Sequence, residues 1–189
     1  VEIDPAFAAA ARQLWGGDGL QVVGGDFTDP CVLARAVPRP NLILANPPYV
    51  RHHHLDAALK ERLRARAAAV AGLRVSGLSG LYVYFVLLAH DWLEDGGLAA
   101  WLIPSEFLDT NYGAALRAYL AERVTLLRIH RFDPAAVQFD DALVSSAVVI
   151  FRKAPPPPDH AARFTFGGDS IGRPTLAQEV PTADLRAAR

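Results

Sequence analysis

Short apolar segments alternate with longer amphipathic ones along the first half of the chain. Four of the short segments have the length and composition of buried strands, at 1–3, 20–23, 41–45 and 98–103. The segments between them are rich in alanine, leucine or aromatic residues and predict helices over about 5–15, 31–37, 55–71 and 81–93. Because short strands that alternate with helices build parallel sheets, the pattern predicts an α/β fold.

The second half of the chain predicts one more helix and an antiparallel strand pair. Asn111 is placed to cap a helix that runs to about Glu122. The segments 125–130 and 146–151 are strand-like and close enough in sequence to pair antiparallel with each other. We therefore expect a mostly parallel sheet that ends in an antiparallel pair toward the C-terminus.

A run of prolines at 155–158 marks a change in the chain. Consecutive prolines form a stiff, extended spacer, and strand-like residues resume at 163–166. The predicted division is a partial domain at 1–153, a proline-rich linker at 154–159, and the start of a following segment at 160–189.

Composition narrows the class of protein. With 51% hydrophobic and 21% charged residues over 189 positions, the chain is expected to be globular. Its longest apolar run falls well short of the roughly 20 residues of a membrane span, and no secretion signal leads the sequence. The single cysteine, Cys31, cannot form an internal disulfide, which favours a cytoplasmic location. The chain opens on Val1 inside a strand and contains no methionine, so we expect a piece of a longer protein.

Polar side chains follow three of the predicted strands. They are Glu2, Asp26 and Asn46. In an open parallel sheet, ligands bind beyond the carboxyl ends of the strands. A carboxylate after one strand can accept hydrogen bonds from a ribose diol, and Asp26 after the next can accept from an exocyclic amine. The spacing fits an adenosine-shaped site, although Asp26 is equally suited to cap a turn.

The sequence Asn46-Pro47-Pro48-Tyr49 is the sharpest chemical signal in the chain. Pro47 holds Asn46 extended and Pro48 stiffens the turn, so the Asn46 side-chain oxygen and the Pro47 carbonyl become two fixed acceptors. Two acceptors can hold one amino group. Tyr49 offers a flat face for a planar substrate, and we expect its ring face, not its hydroxyl, to be used. The alternative is a rigid strand-ending turn with a packed tyrosine.

These four residues, with apolar 42–45 before them and Val50-Arg51 after, resemble the catalytic motif of S-adenosylmethionine-dependent DNA adenine-N6 methyltransferases. The closest resemblance is to the type II restriction-modification branch. Other segments that resemble its motifs are 1–5, 25–27, 98–105, 112–120 and 139–151. The resemblance covers residues 1 to about 153. It implies a Rossmann-like class I methyltransferase sheet that is N-terminally truncated, because the family's first motif should precede Val1.

The resemblance also implies how S-adenosyl-L-methionine would be bound. Glu2 would hold the ribose of this cofactor, Asp26 its adenine amino group and Phe27 its adenine ring. The implied cofactor-binding residues are therefore Glu2, Asp26, Phe27 and Asn46. Since the missing first motif contacts the cofactor's methionine part, the isolated piece is expected to be inactive.

For the target base, the implied catalytic residues are Asn46, Pro47, Pro48 and Tyr49. The two acceptors would grip the hydrogens of adenine N6 and favour a pyramidal nitrogen that attacks the methyl group in line. Because that amine is paired inside a duplex, the base must be flipped out. Tyr49 and Phe139 would stack on it, although an aromatic ahead of a strand is core about as often as a ligand shelf.

A basic region follows the Asn-Pro-Pro-Tyr loop. Between Arg51 and Arg74 there are six basic residues against two acidic ones. Contact with the phosphates of double-stranded DNA is the functional interpretation, and an ordinary solvated face is the alternative. The proposed DNA-binding residues are Arg51, Arg62, Arg64 and Arg66. Three consecutive histidines, 52–54, lack the spacing of metal ligands, so no metal site is predicted.

Three hypotheses for function follow. The first is methyl transfer to adenine N6 in DNA, with a recognition domain and a nuclease fused or separate. The second is methylation of a protein glutamine or an RNA base through the same motif. The third is a non-catalytic DNA-binding fragment. The long basic insertion between Tyr49 and Leu81 favours an extended polyanion, hence DNA, as the substrate.

Overall fold

A computed structural model describes residues 1–35, 38–134 and 145–188. The chain divides into two compact units, residues 1–40 and 41–189, and we describe each by itself. Phe139 lies outside the described residues, so its predicted stacking role stays a prediction. Within the described ranges, no helix has both the length and the apolar content needed to cross a bilayer.

The first unit contains two helices, α1 (Pro5–Trp15) and α2 (Pro30–Leu33). Both begin with a capping aspartate followed by proline at the first helical position, a common start for a helix. The Asp4 carboxylate accepts from two backbone N–H groups of α1, and Asp29 accepts from one of α2. α2 is shorter than the predicted 31–37, and residues 36–37 lie outside the described part of the chain.

The two strands predicted in this unit are wrong as continuous elements. Segments 1–3 and 20–23 meet only through one parallel bridge, between Glu2 and Gly24. Glu2 N donates to Val23 O at 3.0 Å, and Gly25 N donates to Glu2 O at 2.8 Å. Several apolar side chains of these segments are half or more exposed, including Ile3 at 71%, and Val22 and Val23 are only partly buried. Because those side chains are not buried, further strand pairing would add little stability.

The second unit is built on a six-stranded sheet in the order β1-β2-β4-β3-β5-β6. Its strands are β1 (Leu42–Ala45), β2 (Leu98–Pro104), β3 (Thr125–Arg131), β4 (Ser146–Arg152), β5 (Ala161–Phe166) and β6 (Leu176–Pro181). The pairings give β1, β2, β3 and β5 one direction, and β4 and β6 the opposite one. The predicted α/β class with a mostly parallel sheet is thus confirmed.

The predicted antiparallel pair is also present. β4 lies between β2 and β3 and runs antiparallel to both, with Arg152 opposite Leu98 on one side and Thr125 on the other. After the proline run, β5 pairs parallel with β3. Residues 161–181 therefore extend the same sheet, while the division predicted near residue 153 stays a prediction.

Two helices precede β2, α3 (Ala57–Ala71) and α4 (Leu81–Trp92), close to the predicted ranges. α4 is apolar nearly all round, as expected for a buried helix. Among its side chains, Tyr82, Tyr84 and Leu88 are each at most 2% exposed. The N-terminal end of α4 is therefore held rigidly by the packing of the helix.

The predicted cap at Asn111 is wrong. Residues Asn111–Gly113 form a short 3-10 turn, and helix α5 (Ala114–Glu122) begins after Gly113. The turn is tight because Gly113 N donates to Thr110 O at 3.2 Å, and because Gly113 packs directly on the backbone of Phe107. A side chain at position 113 would prevent this close approach. The helix therefore starts at the glycine and not at the asparagine.

We expect Gly113→Ala to lower the free energy of unfolding by about 3 kcal/mol, the upper end of the range for overpacking. The added Cβ would lie 2.1 Å from Phe107 O and 2.5 Å from Phe107 Cα, both of which are backbone atoms that cannot rotate away. Gly77→Ala is the matched control, because a Cβ there meets nothing within 4 Å. Chemical denaturation of the full-length variants measures both. Equal stability of the two variants would contradict the packing at Gly113.

Candidate functional site

The Asn46–Tyr49 loop leaves the sheet at the carboxyl end of β1. Ala45, the last residue of β1, is opposite Trp101 of β2 in parallel register. The loop therefore starts beside the last residues of β2. Pro47 is buried, whereas the Asn46 side chain is exposed. The buried proline restricts the backbone of Asn46 and so keeps this residue at the surface.

Tyr49 is anchored through its hydroxyl as well as by its ring. The ring is half-buried, and Tyr49 Oη donates to Leu102 O of β2 at 3.0 Å. Burial raises the pKa of Tyr49, and a hydrogen bond with the Ser146 side chain of β4 partly offsets that rise. The expectation that only the ring face matters is incomplete, since the hydroxyl ties the ring to two strands.

A pocket of about 310 Å³ adjoins Tyr49, near the lower end of the size range of ligand sites, roughly 300–1,000 Å³. Its walls come from the loop, from the start of α4 and from the segment after β2. The lining residues are Tyr49, Val50, Arg51, His52, His53, Leu78, Gly80, Tyr82, Pro104, Glu106 and Tyr112. Aromatic and apolar walls with a few polar groups suit a flat heterocyclic ligand.

Two of the polar lining residues, Tyr82 and Glu106, escaped the sequence analysis as site residues. Tyr112 entered it only as the start of the segment 112–120. The Tyr112 hydroxyl hydrogen-bonds with the side chains of Thr110 and Glu106, and burial raises the Tyr112 pKa. Glu106 could have been found, because it follows β2, the parallel neighbour of β1, and polar residues beyond neighbouring strand ends meet at one edge.

The proposed DNA-binding arginines differ in their surroundings. Arg51 lines the pocket and is exposed. Arg64 is engaged within the protein, because its Nε donates to Val75 O at 3.2 Å and its Nη1 contacts Glu61 at 3.3 Å. Arg62 is exposed on α3, and Arg66 is half-buried. Arg64 therefore holds α3 to the loop that follows it, which leaves its guanidinium less suited to a phosphate.

The three histidines form a short 3-10 turn, His52–His54. Desolvation, followed by the positive charges of His54, His52 and Arg51, lowers the pKa of His53. His53 is therefore harder to protonate than an isolated histidine, and Arg51 directly precedes this turn. Among the described residues, no three histidine, cysteine, aspartate or glutamate side chains are grouped so as to hold a metal ion.

In the first unit, the Glu2–Gly24 bridge brings Glu2 and Asp26 to the ends of neighbouring segments. Glu2 Oε1 accepts from Asp4 N at 2.9 Å. Asp26 Oδ1 accepts from the N and Oγ1 of Thr28, both at 2.8 Å, so Asp26 does cap a turn. Two carboxylates with half-buried Phe27 beside them have the donor-accepting chemistry that the adenosine end of a nucleoside cofactor requires.

Solved structures define the class of fold. The chain aligns over 99% of its length with 40% of the methyltransferase subunit of a type I restriction-modification system from Streptococcus thermophilus, with a TM-score of 0.64 and 17% identity. A class I S-adenosylmethionine-dependent methyltransferase from Listeria monocytogenes aligns with a TM-score of 0.53 and 16% identity, over 82% of this chain and 44% of that one. The Rossmann-like class I methyltransferase fold is thereby confirmed.

Sequence comparison gives the family. Residues 41–138 match the Eco57I restriction-modification methylase family, and the chain belongs to it. The type II methyltransferase M.XamI from Xanthomonas campestris pv. amaranthicola is 28% identical over 196 aligned positions, which cover 100% of this chain and 36% of M.XamI. The chain thus spans about a third of the length of that relative.

We expect Tyr49→Phe to lower the free energy of unfolding by about 1 kcal/mol, the usual net value of one hydrogen bond. The phenyl ring keeps the packing but leaves Leu102 O without its 3.0 Å donor. Tyr49→Ala should lose about 2 kcal/mol or more, because the half-buried ring is removed as well. Urea denaturation of full-length protein separates the two losses. Wild-type stability of Tyr49→Phe would remove the anchoring role of the hydroxyl.

Proposed function

We propose that this chain is the catalytic part of a DNA methyltransferase that transfers a methyl group from S-adenosyl-L-methionine to N6 of a flipped adenine. The observation that carries the proposal is the rigid Asn46–Tyr49 loop with a pocket directly beside Tyr49. Membership in the Eco57I restriction-modification methylase family supports the same reaction. The substrate is proposed to be double-stranded DNA.

Asn46 and Pro47 provide the chemistry at the amine. The lone pair of adenine N6 is delocalised into the ring, so the free amine is a poor nucleophile. When the Asn46 side-chain oxygen and the Pro47 carbonyl each accept one N6 hydrogen, the nitrogen is drawn toward a pyramidal geometry with its lone pair directed outward. Because both acceptors lie on a loop stiffened by two prolines, this geometry needs little reorganisation during the reaction.

Tyr49 offsets part of the energy of base flipping. A flipped base loses stacking and pairing worth a few kcal/mol, and one aromatic face returns about 1–3 kcal/mol. The Tyr49 ring is already held against β2 by its bond to Leu102 O. Little conformational entropy is therefore lost when a base stacks on it.

S-adenosyl-L-methionine supplies the electrophilic methyl group when it is bound. Glu2 is proposed to accept from the ribose hydroxyls, Asp26 from the adenine amino group, and Phe27 to contact the adenine ring. In support, both carboxylates end neighbouring segments joined by the Glu2–Gly24 bridge, and Phe27 directly follows Asp26. Segment 160–189 is proposed to lead toward a target-recognition domain, with a nuclease fused or separate.

Asn46→Ala should reduce the turnover of full-length protein by about 100-fold or more, the usual loss when one preorganised polar contact to the reacting group is removed. DNA affinity should stay within about twofold, because the amine is the only part of the DNA that Asn46 is proposed to contact. The matched control is Asn41→Ala at the opposite end of β1, where only the backbone carbonyl is used, accepting from Leu98 N at 2.8 Å.

The assay is mass spectrometry of nucleosides after incubation with DNA and labelled cofactor. The expected product is N6-methyladenine. Label appearing in a protein glutamine or an RNA base, with none in DNA, would contradict the proposed substrate. Unchanged turnover of Asn46→Ala would contradict the role of the amide.

Arg51→Ala combined with Arg62→Ala should weaken binding to all DNA sequences alike. The slope of log affinity against log salt should decrease by about 2, since each lost phosphate contact contributes about 0.9. Arg64→Ala should change the slope less, because its guanidinium is bonded to Val75 O and Glu61. Arg173→Ala, in the exposed β5–β6 connection, is the control for loss of one charge.

Fluorescence anisotropy at several salt concentrations gives these slopes. A loss confined to one DNA sequence would assign Arg51 and Arg62 to base recognition instead of phosphate contact.

A further inference from the structure

One residue that lines the pocket carries a buried hydroxyl with no hydrogen-bond partner within the described part of the chain. Tyr82 is 2% exposed, and its Oη forms no hydrogen bond with any of the described residues. The two other tyrosines buried alongside it do have partners. Tyr84 Oη donates to Ser76 O at 3.5 Å, and Tyr119 Oη hydrogen-bonds with His90 Nδ1 at 3.0 Å.

Tyr82 differs from the other buried groups that lack a partner, because it lines the pocket and they do not. In the described residues, the buried unpaired side-chain atoms are Tyr82 Oη, Trp101 Nε1, His130 Nε2, Arg131 Nε and Thr182 Oγ1. Of these five residues, only Tyr82 is among those that line the pocket beside Tyr49. A buried donor without a partner is unfavourable by itself, so a partner that arrives with a ligand would explain it.

Packing fixes Tyr82 next to the catalytic loop. A Cβ at Gly80 would lie 3.2 Å from two atoms of the Tyr82 ring and 3.3 Å from Val50 O. Leu81 N also donates to Val50 O at 2.9 Å. The Tyr82 ring is thus held close to the residue that follows Tyr49.

The hydroxyl remains protonated and can act as a donor. Burial is the main cause of a raised pKa for Tyr82, and Glu106 and Tyr112 add to it. Both of these residues line the same pocket as Tyr82. Glu106 can only accept hydrogen bonds when ionised, and Tyr112 is already hydrogen-bonded with Glu106.

We propose that the Tyr82 hydroxyl donates a hydrogen bond to a ring nitrogen of the adenine that stacks on Tyr49. This inference rests on the proposed function. The two N6 hydrogens would be taken by Asn46 and Pro47, and the ring nitrogens of adenine are acceptors only. The base therefore needs a donor on its remaining polar edge, and Tyr82 supplies one that is buried and already in place.

The experiment pairs Tyr82→Phe with altered substrates. Full-length wild type and Tyr82→Phe are compared on duplexes whose target adenine is replaced by 1-deaza-, 3-deaza- or 7-deazaadenine, each of which lacks one ring acceptor. On adenine, Tyr82→Phe should lower kcat/KM about 3- to 10-fold, the factor that one neutral hydrogen bond contributes. With one of the three analogues, wild type and Tyr82→Phe should react equally.

Two controls separate a ligand contact from a structural role. The melting temperature of Tyr82→Phe should be unchanged or higher, because an unpaired buried hydroxyl is removed while the ring remains. Tyr84→Phe, two residues along α4 and outside the pocket lining, should show the same kcat/KM ratio for adenine and its analogues as wild type.

The outcomes distinguish a failure of this inference from a failure of the proposed function. A loss in Tyr82→Phe that is equal for adenine and all three analogues overturns the inference, as does no loss on adenine. If wild type forms N6-methyladenine, such a result leaves the proposed function standing. If wild type forms no N6-methyladenine in any DNA, the proposed function and this inference both fail.

Discussion

The parallel pairing of β1 with β2 is the interaction on which the candidate site depends. The register that sets Ala45 opposite Trp101 fixes where each of the two strands leaves the sheet. As a result, the Asn46–Tyr49 loop emerges near Pro104 and Glu106. A shift by one residue would reverse the faces of β1 and direct the loop elsewhere. The bond from Tyr49 Oη to Leu102 O adds a side-chain lock to that register. Backbone pairing and side-chain anchoring thus serve the same loop.

β2 can hold the loop in place because its other edge is also paired. β4 runs antiparallel along the whole of β2, and α4, buried nearly all round, precedes β2 in the chain. Lys153, just beyond β4, donates to Leu93 O at 2.8 Å and contacts Asp95 at 3.1 Å, which clamps the turn between α4 and β2. The start of α4 and the end of β2 therefore form two fixed walls of one pocket.

The local pattern of hydrophobic and polar residues correctly predicted two kinds of element. These are helices with long apolar faces and strands that pair along their whole length. α3, α4, β1, β2 and the β3–β4 pair all lie close to their predicted ranges. The segments 1–3 and 20–23 read as strands by composition, but a strand also needs neighbours, and here only Glu2 and Gly24 pair. Asn111 has the right residue type for a cap. The contact of Gly113 with the Phe107 backbone, which moves the helix start, is not visible in sequence.

The site shows the same limit. Asn46, Pro47 and Tyr49 stand out because their chemistry is concentrated in one short motif. Tyr82 looks like one more apolar residue of a buried helix, and only the packing shows that its hydroxyl lacks a partner. The proposed role of Tyr82 depends on its position next to Gly80, Glu106 and the Asn46–Tyr49 loop. These lie far apart in sequence, and only the fold brings them together.

The hydroxyls around the pocket fall into two kinds. Tyr49 and Tyr112 use theirs on partners within the protein, which fixes the walls and the distances between them. Tyr82 keeps its hydroxyl unpaired while its ring is clamped. A group held rigidly without a partner loses little entropy when a ligand arrives and gains the hydrogen bond it lacked, so it adds more to affinity than an equally strong contact from a mobile side chain. In the proposed reaction, where positioning is the main catalytic device, such a donor would help to orient the base.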